Sequence, residues 1–384
     1  MKIVADADIP LLSDAFGPLG EVIALPAERI TPGAVRDATA LLVRSVTRVD
    51  GRLLEGSRVE FIATATIGFD HVDLGYLEAR QIGFASAQGS NARSVAEYVL
   101  AALSILAERR RYDMTQKVLG IVGCGNVGGR LGRMAEAIGL RVLQNDPPLA
   151  RTTHDPRYVP IEALAEADVV TFHVPLAHEG PDATHHMIGA RLLGRLNRGV
   201  AVINTSRGAV ADSAALKAAR GDGRVGALVL DVWEGEPTID LDLLRRTDLA
   251  TPHIAGYSYD GKVNGTRMIL EAFCRHFGLK REWDPEPRMP LAARPRVRLE
   301  AGLGKQEALR QAIAAAYDME ADDRRLRAIE REPAARCGMF FRNLRKQYPV
   351  RREFPQTTVE LEKPAPGVVE ALEALDFPVK VINE

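Results

Sequence analysis

Residues 118–146 read VLGIVGCGNVGGRLGRMAEAIGLRVLQND. The first five, Val118-Leu119-Gly120-Ile121-Val122, form an apolar run of strand length bounded by glycine. Gly123-Cys124-Gly125-Asn126-Val127-Gly128 follows and fits GxGxxG. The pattern predicts a helix over 130–138 and a second strand over 141–143, closing at Asp146. Asp146 stands 18 positions beyond Gly128 (146 − 128), close to the spacing of about 20 that places an acid on a nucleotide ribose. Glycines let the backbone approach a pyrophosphate, and a helix N-terminus offers free N–H groups and the positive end of its dipole. An acid at the end of the second strand accepts from both ribose hydroxyls and repels a 2′-phosphate. The segment therefore reads as a cradle for NAD in preference to NADP. It is built from Gly123, Gly125, Asn126, Val127, Gly128 and Asp146, with Cys124 filling space.

Upstream, short apolar runs at 2–5, 40–43 and 61–65 alternate with helical or loop-like stretches. That rhythm predicts an α/β layer with a largely parallel sheet. Val95, Val99, Leu103 and Leu106 share a helical face over 94–110. Downstream, strands are expected at 169–172, 200–204 and 227–230. Pro285, Pro287, Pro290 and Pro295 then interrupt a charged segment, which reads as a linker. The tail resumes with a helix over 306–317 and ends with short strands, one of them at 379–382.

The composition narrows the function classes. At 384 residues the chain has room for two to three domains. Hydrophobic residues make up 46% and charged residues 26%, as in a folded soluble protein. Lys+Arg number 50 against 51 Asp+Glu, so no basic excess exists to hold a nucleic acid. The apolar stretch 98–107 is too short for a bilayer, which needs about 20 residues. The start, MKIVADADIP, has no apolar signal core. Cys124, Cys274 and Cys337 are scattered and odd in number, which points to a reducing cytoplasm.

Three later segments carry chemistry-bearing side chains: Ile203-Asn204-Thr205-Ser206-Arg207-Gly208, Leu230-Asp231-Val232-Trp233-Glu234-Gly235-Glu236-Pro237, and Thr251-Pro252-His253-Ile254-Ala255-Gly256. Two of the three follow an expected strand, and strand ends of an open α/β sheet face the ligand crevice. Alone, each charged residue would be a solvated surface group. In this order, and with Thr66-Ile67-Gly68-Phe69-Asp70-His71-Val72-Asp73 upstream, the chain resembles the D-isomer-specific 2-hydroxyacid dehydrogenase family. The resemblance implies a Rossmann-type NAD-binding domain (94–255) inserted in a flavodoxin-like substrate domain (1–93 with 256–284). It implies Arg207, Glu236 and His253 as the catalytic residues. It also implies cofactor contacts at Val174, Thr205, Ser206, Asp231 and Gly256. Histidine suits removal of a hydroxyl proton near neutral pH, and arginine suits a carboxylate. One departure is Val174 in His173-Val174-Pro175-Leu176, where much of the family has threonine, so only a backbone contact is expected there. His185-His186 belongs to no ligand motif, and no metal is expected.

The stretches 317–327 and 341–354 resemble the C-terminal dimerisation domain of one branch of that family, which acts on a small phosphorylated hydroxy acid. The likeness implies a third, small α/β domain (285–384), a homodimer, and substrate contacts at Ser45, Thr66 and Tyr257. A substrate phosphate needs cations. Arg44 is one candidate, and an arginine of a partner subunit's tail, from among Arg342, Arg345, Arg351 and Arg352, is another. A dehydrogenase for another acid, such as 3-phosphoglycerate, and a non-catalytic NAD-sensing scaffold remain alternatives on the same fold.

Overall fold

The computed structural model describes residues 1–382 and divides into two compact units. The first joins Met1–Asn91 to Ser258–Pro290. Its sheet has five parallel strands, β1 (Lys2–Asp6), β2 (Glu21–Leu25), β3 (Ala40–Val43), β4 (Phe61–Thr64) and β5 (Gly83–Ser86), in the order β2-β1-β3-β4-β5. That is the flavodoxin-like order. Strand β3 is apolar along its length, β4 is so up to its last residue Thr64, and both are buried on both faces, as central parallel strands must be. The helix Tyr259–His276 returns to this unit and packs Ile269, Leu270 and Phe273 against Phe16 and Phe61.

The second unit joins Ala92–Tyr257 to the segment from Leu291. Its larger sheet contains β6 (Val118–Val122), β7 (Arg141–Asn145), β8 (Val169–Phe172), β9 (Val200–Asn204), β10 (Val225–Leu230) and β11 (Leu249–Ala250), all parallel, in the order β11-β10-β9-β8-β6-β7. The order reverses between β6 and β8, so a crevice opens where β6 ends. The helix Ala92–Arg110 is buried nearly all round. The predicted face of Val95, Val99, Leu103 and Leu106 is inside, but so are Ser94, Glu97 and Ser104 opposite it.

The tail forms a three-stranded parallel sheet, β12 (Arg296–Leu299), β13 (Thr358–Glu362) and β14 (Val379–Ile382). Its helix Lys305–Ala316 and Phe354 share one continuous core with Leu119, Leu131 and the helix Ala92–Arg110. Buried Glu97 accepts a hydrogen bond from the Phe354 N–H at 2.9 Å. Arg351 donates to the carbonyls of Ser94 (3.3 Å) and Ala255 (2.6 Å), and its guanidinium lies 4.3 Å from the Tyr317 ring centre. The tail is thus tied to the nucleotide-binding segment by both apolar and polar contacts. Strands β2, β5, β11, β12 and β13 had no range in the sequence expectation. β2 and β12 carry little buried apolar surface, and β5 begins with glycine.

Candidate active site

The strand ends of the larger sheet lie in register. Asn145 pairs with Val122, Val122 with Phe172, Phe172 with Asn204, Asn204 with Leu230, and Leu230 with Ala250. The next residues along this one edge are Asp146, Gly123, His173, Thr205, Asp231 and Thr251. The motifs scattered over the sequence therefore meet on one rim, neighbouring strands being about 4.8 Å apart.

At β6 the chain turns through Gly123 with φ +85°, and a side chain there would sit 2.6 Å from the His173 carbonyl. A side chain on Gly128 would sit 2.0 Å from the Gly123 carbonyl, so that glycine permits the tight helix–strand approach. A Cβ on Gly125 would meet nothing within 4 Å: the N-terminus of the helix Asn126–Ala137 faces open space. The helix starts four residues before the predicted one because its first turn is glycine-rich. Asp146 accepts from the Cys124 N–H (2.8 Å) and caps the helix Pro147–Thr153 at the Leu149 N–H (3.0 Å). Each carboxylate oxygen keeps a second lone pair for a ribose hydroxyl. The cradle, the orphan amides and the acid together fit a dinucleotide. Val174 Cγ1 packs toward Gly123 as an apolar wall. Cys124 is buried and its thiol is pushed up to about 12 by burial and by Asp146, so it is an inert filler.

Past β9, buried Asn204 clamps the turn. Its Oδ1 accepts from the Ser206 N–H (3.1 Å) and hydroxyl (2.7 Å), and its Nδ2 donates to the Arg207 carbonyl (3.1 Å). The buried Ser206 hydroxyl is therefore turned away from any cofactor, which leaves backbone contact to that residue. Thr205 Oγ1 lies 3.1 Å from His173 Nδ1, and Thr171 Oγ1 lies 3.1 Å from its Nε2. Burial pushes His173 down to about 3, so it is a neutral strut. Gly208 passes so close to the Trp233 carbonyl that a Cβ would lie 1.9 Å away, locking the Arg207 loop onto the Glu236 loop.

The decisive pair is Glu236 and His253. His253 Nδ1 lies 2.8 Å from Oε2 and 3.1 Å from Oε1 of Glu236. Burial alone would push the Glu236 carboxyl up, but the His253 hydrogen bond and charge, the Trp233 N–H (3.2 Å) and the Arg345 charge outweigh it and hold it below its usual range. His253 sits at φ +59° and is pinned by its own N–H to the Asp231 carbonyl (2.7 Å). Its side chain keeps 32% of its surface exposed, and Nε2 has no hydrogen bond among the described residues. Asp231 is 1% exposed and accepts from Thr251 Oγ1 (2.7 Å), Ile254 N–H (2.7 Å) and Ala255 N–H (3.0 Å). Thr251 has one proton and gives it to Asp231, so Tyr98 Oη donates to Thr251 at 2.7 Å. Asp231 is chiefly the post that holds the histidine loop, and only Oδ2 retains room for a cofactor amide. Asn204, Thr251, Tyr98 and Trp233 escaped the sequence reading. Their only signal was a polar group at the end of an apolar strand or, for Tyr98, within an apolar helix.

In the first unit, Thr66 Oγ1 donates to the Gly68 carbonyl (3.0 Å), Thr64 Oγ1 donates to Thr66 (2.7 Å), and His71 Nε2 stands 3.3 Å from Thr64. The N–H groups of Thr66, Ile67 and Gly68 have no partner among the described residues. Ser45 is exposed just past β3. Arg44, expected as a phosphate ligand, is instead held by Asp8 at 3.2 Å and lies 3.9 Å from Asp6. Of the tail arginines, Arg351 and Arg352 are buried and Arg342 is exposed. Arg345 Nη2 donates to Tyr257 Oη at 2.9 Å within the same chain. His186 bonds Glu234 at 2.6 Å and stacks on His185, and among the described residues no acid–histidine–cysteine group is arranged for a metal. No described helix is long and apolar enough to cross a membrane.

Residues 94–255 match the model for the NAD-binding domain of D-isomer-specific 2-hydroxyacid dehydrogenases, and residues 289–375 match a domain of unknown function, DUF3410. The erythronate-4-phosphate dehydrogenase of Salinibacter ruber is 50% identical over 94% of this chain and 94% of its own. That of Marinobacter nauticus is 44% identical over 99% and 100%. The chain belongs to the erythronate-4-phosphate dehydrogenase family. Among solved structures, the NAD-bound 3-phosphoglycerate dehydrogenase of Entamoeba histolytica superposes with TM-score 0.60 at 26% identity, over 72% of this chain and 95% of that one. The Aquifex aeolicus D-lactate dehydrogenase, complexed with NAD and lactic acid, does so with TM-score 0.59 at 25% identity, over 72% and 96%.

Proposed function

We propose that the protein oxidises 4-phospho-D-erythronate to 2-oxo-3-hydroxy-4-phosphobutanoate with NAD, a step toward pyridoxal 5′-phosphate. The observation that carries the reading is the His253–Glu236 couple, with its outer nitrogen open, on the same sheet rim as the glycine cradle. The Gly123–Gly128 turn and Asp146 would hold NAD, which when bound would supply the acceptor for the C2 hydrogen and its electron pair. With Nδ1–H directed at Glu236, His253 Nε2 carries the lone pair that removes the proton from the C2 hydroxyl. Glu236 stays ionised and stabilises the imidazolium that results. Arg207 binds the substrate carboxylate and polarises the forming carbonyl. Ser45 and the unpartnered amides of Thr66–Gly68 are proposed as further anion contacts, and Tyr257 as a substrate contact.

The same reading takes the working form as a homodimer in the cytoplasm, a reducing compartment that the buried free thiols of Cys124, Cys274 and Cys337 suit. Purified protein is given NAD with 4-phosphoerythronate and, in parallel, 3-phosphoglycerate, and nicotinamide absorbance is followed. Reduction with the first acid at least 100-fold more efficient supports the proposal. Preference for the second reassigns the substrate, and turnover of neither makes the chain a nucleotide-binding scaffold.

A further inference from the structure

Arg345 lies in the tail helix Ala334–Lys346, far in sequence from every motif of the NAD-binding segment. That helix packs against the catalytic loop: a Cβ on Gly338 would lie 3.2 Å from Thr238 Oγ1 and 3.6 Å from Pro237. Pro237 directly follows Glu236, so the tail abuts the carboxylate that orients His253.

The tail holds several arginines, and their partners sort them. Arg325 pairs with Asp322 at 2.8 Å, Arg327 with Asp323 at 2.9 Å, and Arg324 with Asp318 at 3.9 Å. Arg351 is buried against the Ser94 and Ala255 carbonyls. Arg345 differs from all of them. It is half-buried and has no carboxylate within ion-pair distance among the described residues. Its one hydrogen bond goes to Tyr257 Oη, its guanidinium carbon sits 5.4 Å from the Tyr257 ring centre, and its Nε is buried without a partner. Tyr348 packs edge-on against the same tyrosine at 6.0 Å, and its hydroxyl is anchored on Asp322 at 2.6 Å. A guanidinium laid on one tyrosine ring, with a buried unpartnered Nε and no carboxylate within ion-pair distance among the described residues, is an unsatisfied anion receptor. Its charge already acts on Glu236.

We propose that Arg345, presented with Tyr257, is the specificity-determining cation that receives the phosphate of the substrate from within the same chain. The tail domain is then part of the active site. This rests on the activity proposed above. Arg207 takes the carboxylate end, Arg44 is held by Asp6 and Asp8, and the dianionic end still requires a cation.

The test compares wild type, Arg345→Gln, Arg345→Lys and Tyr257→Phe on 4-phosphoerythronate and on unphosphorylated erythronate. Inorganic phosphate serves as competitive inhibitor, and NADH binding is followed by fluorescence as a check on folding. In Arg345→Gln, kcat/KM on the phosphorylated acid should fall about 100-fold, mostly through KM, and at least 30-fold further than on erythronate. Inhibition by phosphate should weaken in parallel, and lysine should recover part of the loss. Tyr257→Phe should fall less than Arg345→Gln. Equal losses on both acids, or undiminished phosphate inhibition, overturn the assignment. If wild type turns over neither acid, the activity reading fails separately. Calorimetric binding of inorganic phosphate to the NADH complex of wild type and Arg345→Gln then decides the role of Arg345, and equal affinity refutes it.

Discussion

The two larger parallel sheets of this molecule end on polar rims of opposite character. In the first unit the side chains of the rim close on one another: His71, Thr64, Thr66 and the Gly68 carbonyl form a chain of hydrogen bonds, and Arg44 is held by Asp8 and stands near Asp6, while the backbone N–H groups of Thr66, Ile67 and Gly68 stay without a partner among the described residues. In the second unit the rim is braced from behind. Asn204, Thr251 and Asp231 Oδ1 are engaged from within the protein, and they hold out atoms that have no partner among the described residues, above all His253 Nε2. A binding surface and a reactive one can share a fold; what separates them is which polar atoms are left with a free valence.

The sharpest way to break that contrast is to remove the open nitrogen. His253→Asn should lower kcat on 4-phosphoerythronate by about 10³-fold, within the range of a lost general base, while the NADH dissociation constant stays within about threefold. Stopped-flow turnover and fluorescence titration measure both, and wild-type turnover would show that the base lies elsewhere.

Next in size is the nucleotide end of the same rim. Asp146→Ala removes the acceptor of the Cys124 and Leu149 N–H groups. It should weaken NAD about tenfold, the scale of a charged hydrogen bond, and narrow the preference over NADP. Steady-state kinetics with both dinucleotides reads this out, and an unaltered preference would assign ribose reading to another residue.

The smallest effect belongs to the closed rim. Thr66→Val removes a hydroxyl whose proton is already held by Gly68, leaving the backbone amides in place. KM for the acid should rise about threefold with kcat unmoved. A loss comparable to that of His253→Asn would show that the first unit's rim takes part in the chemistry.

The same contrast explains what was legible in the sequence. The cradle was readable because glycine spacing and strand hydrophobicity are local: Gly123 through Gly128 need only their own turn. Arg207, Glu236 and His253 were readable as motifs, but the meeting of Glu236 with His253, and of the Arg207 loop with the Glu236 loop, depends on strand register, which no single segment contains. The bracing pair of Thr251 and Tyr98 was not readable, since its members lie 153 residues apart, and Asn204, whose partners are local, resembles an ordinary polar residue at a strand end. The tail arginines could be grouped but not ranked. Arg345, Arg351 and Arg342 are alike in sequence, and only packing buries one, exposes another and leaves the third beside Tyr257.

The account turns on His253 holding its proton on Nδ1, toward Glu236, with Nε2 bare. Nitrogen-15 NMR of the histidine-labelled protein, assigned through His253→Asn, reads this directly. At a pH where the ring is neutral, the Nδ1–H tautomer should dominate and be lost in Glu236→Gln. A protonated Nε2 in the neutral wild-type ring would contradict the proposed catalyst.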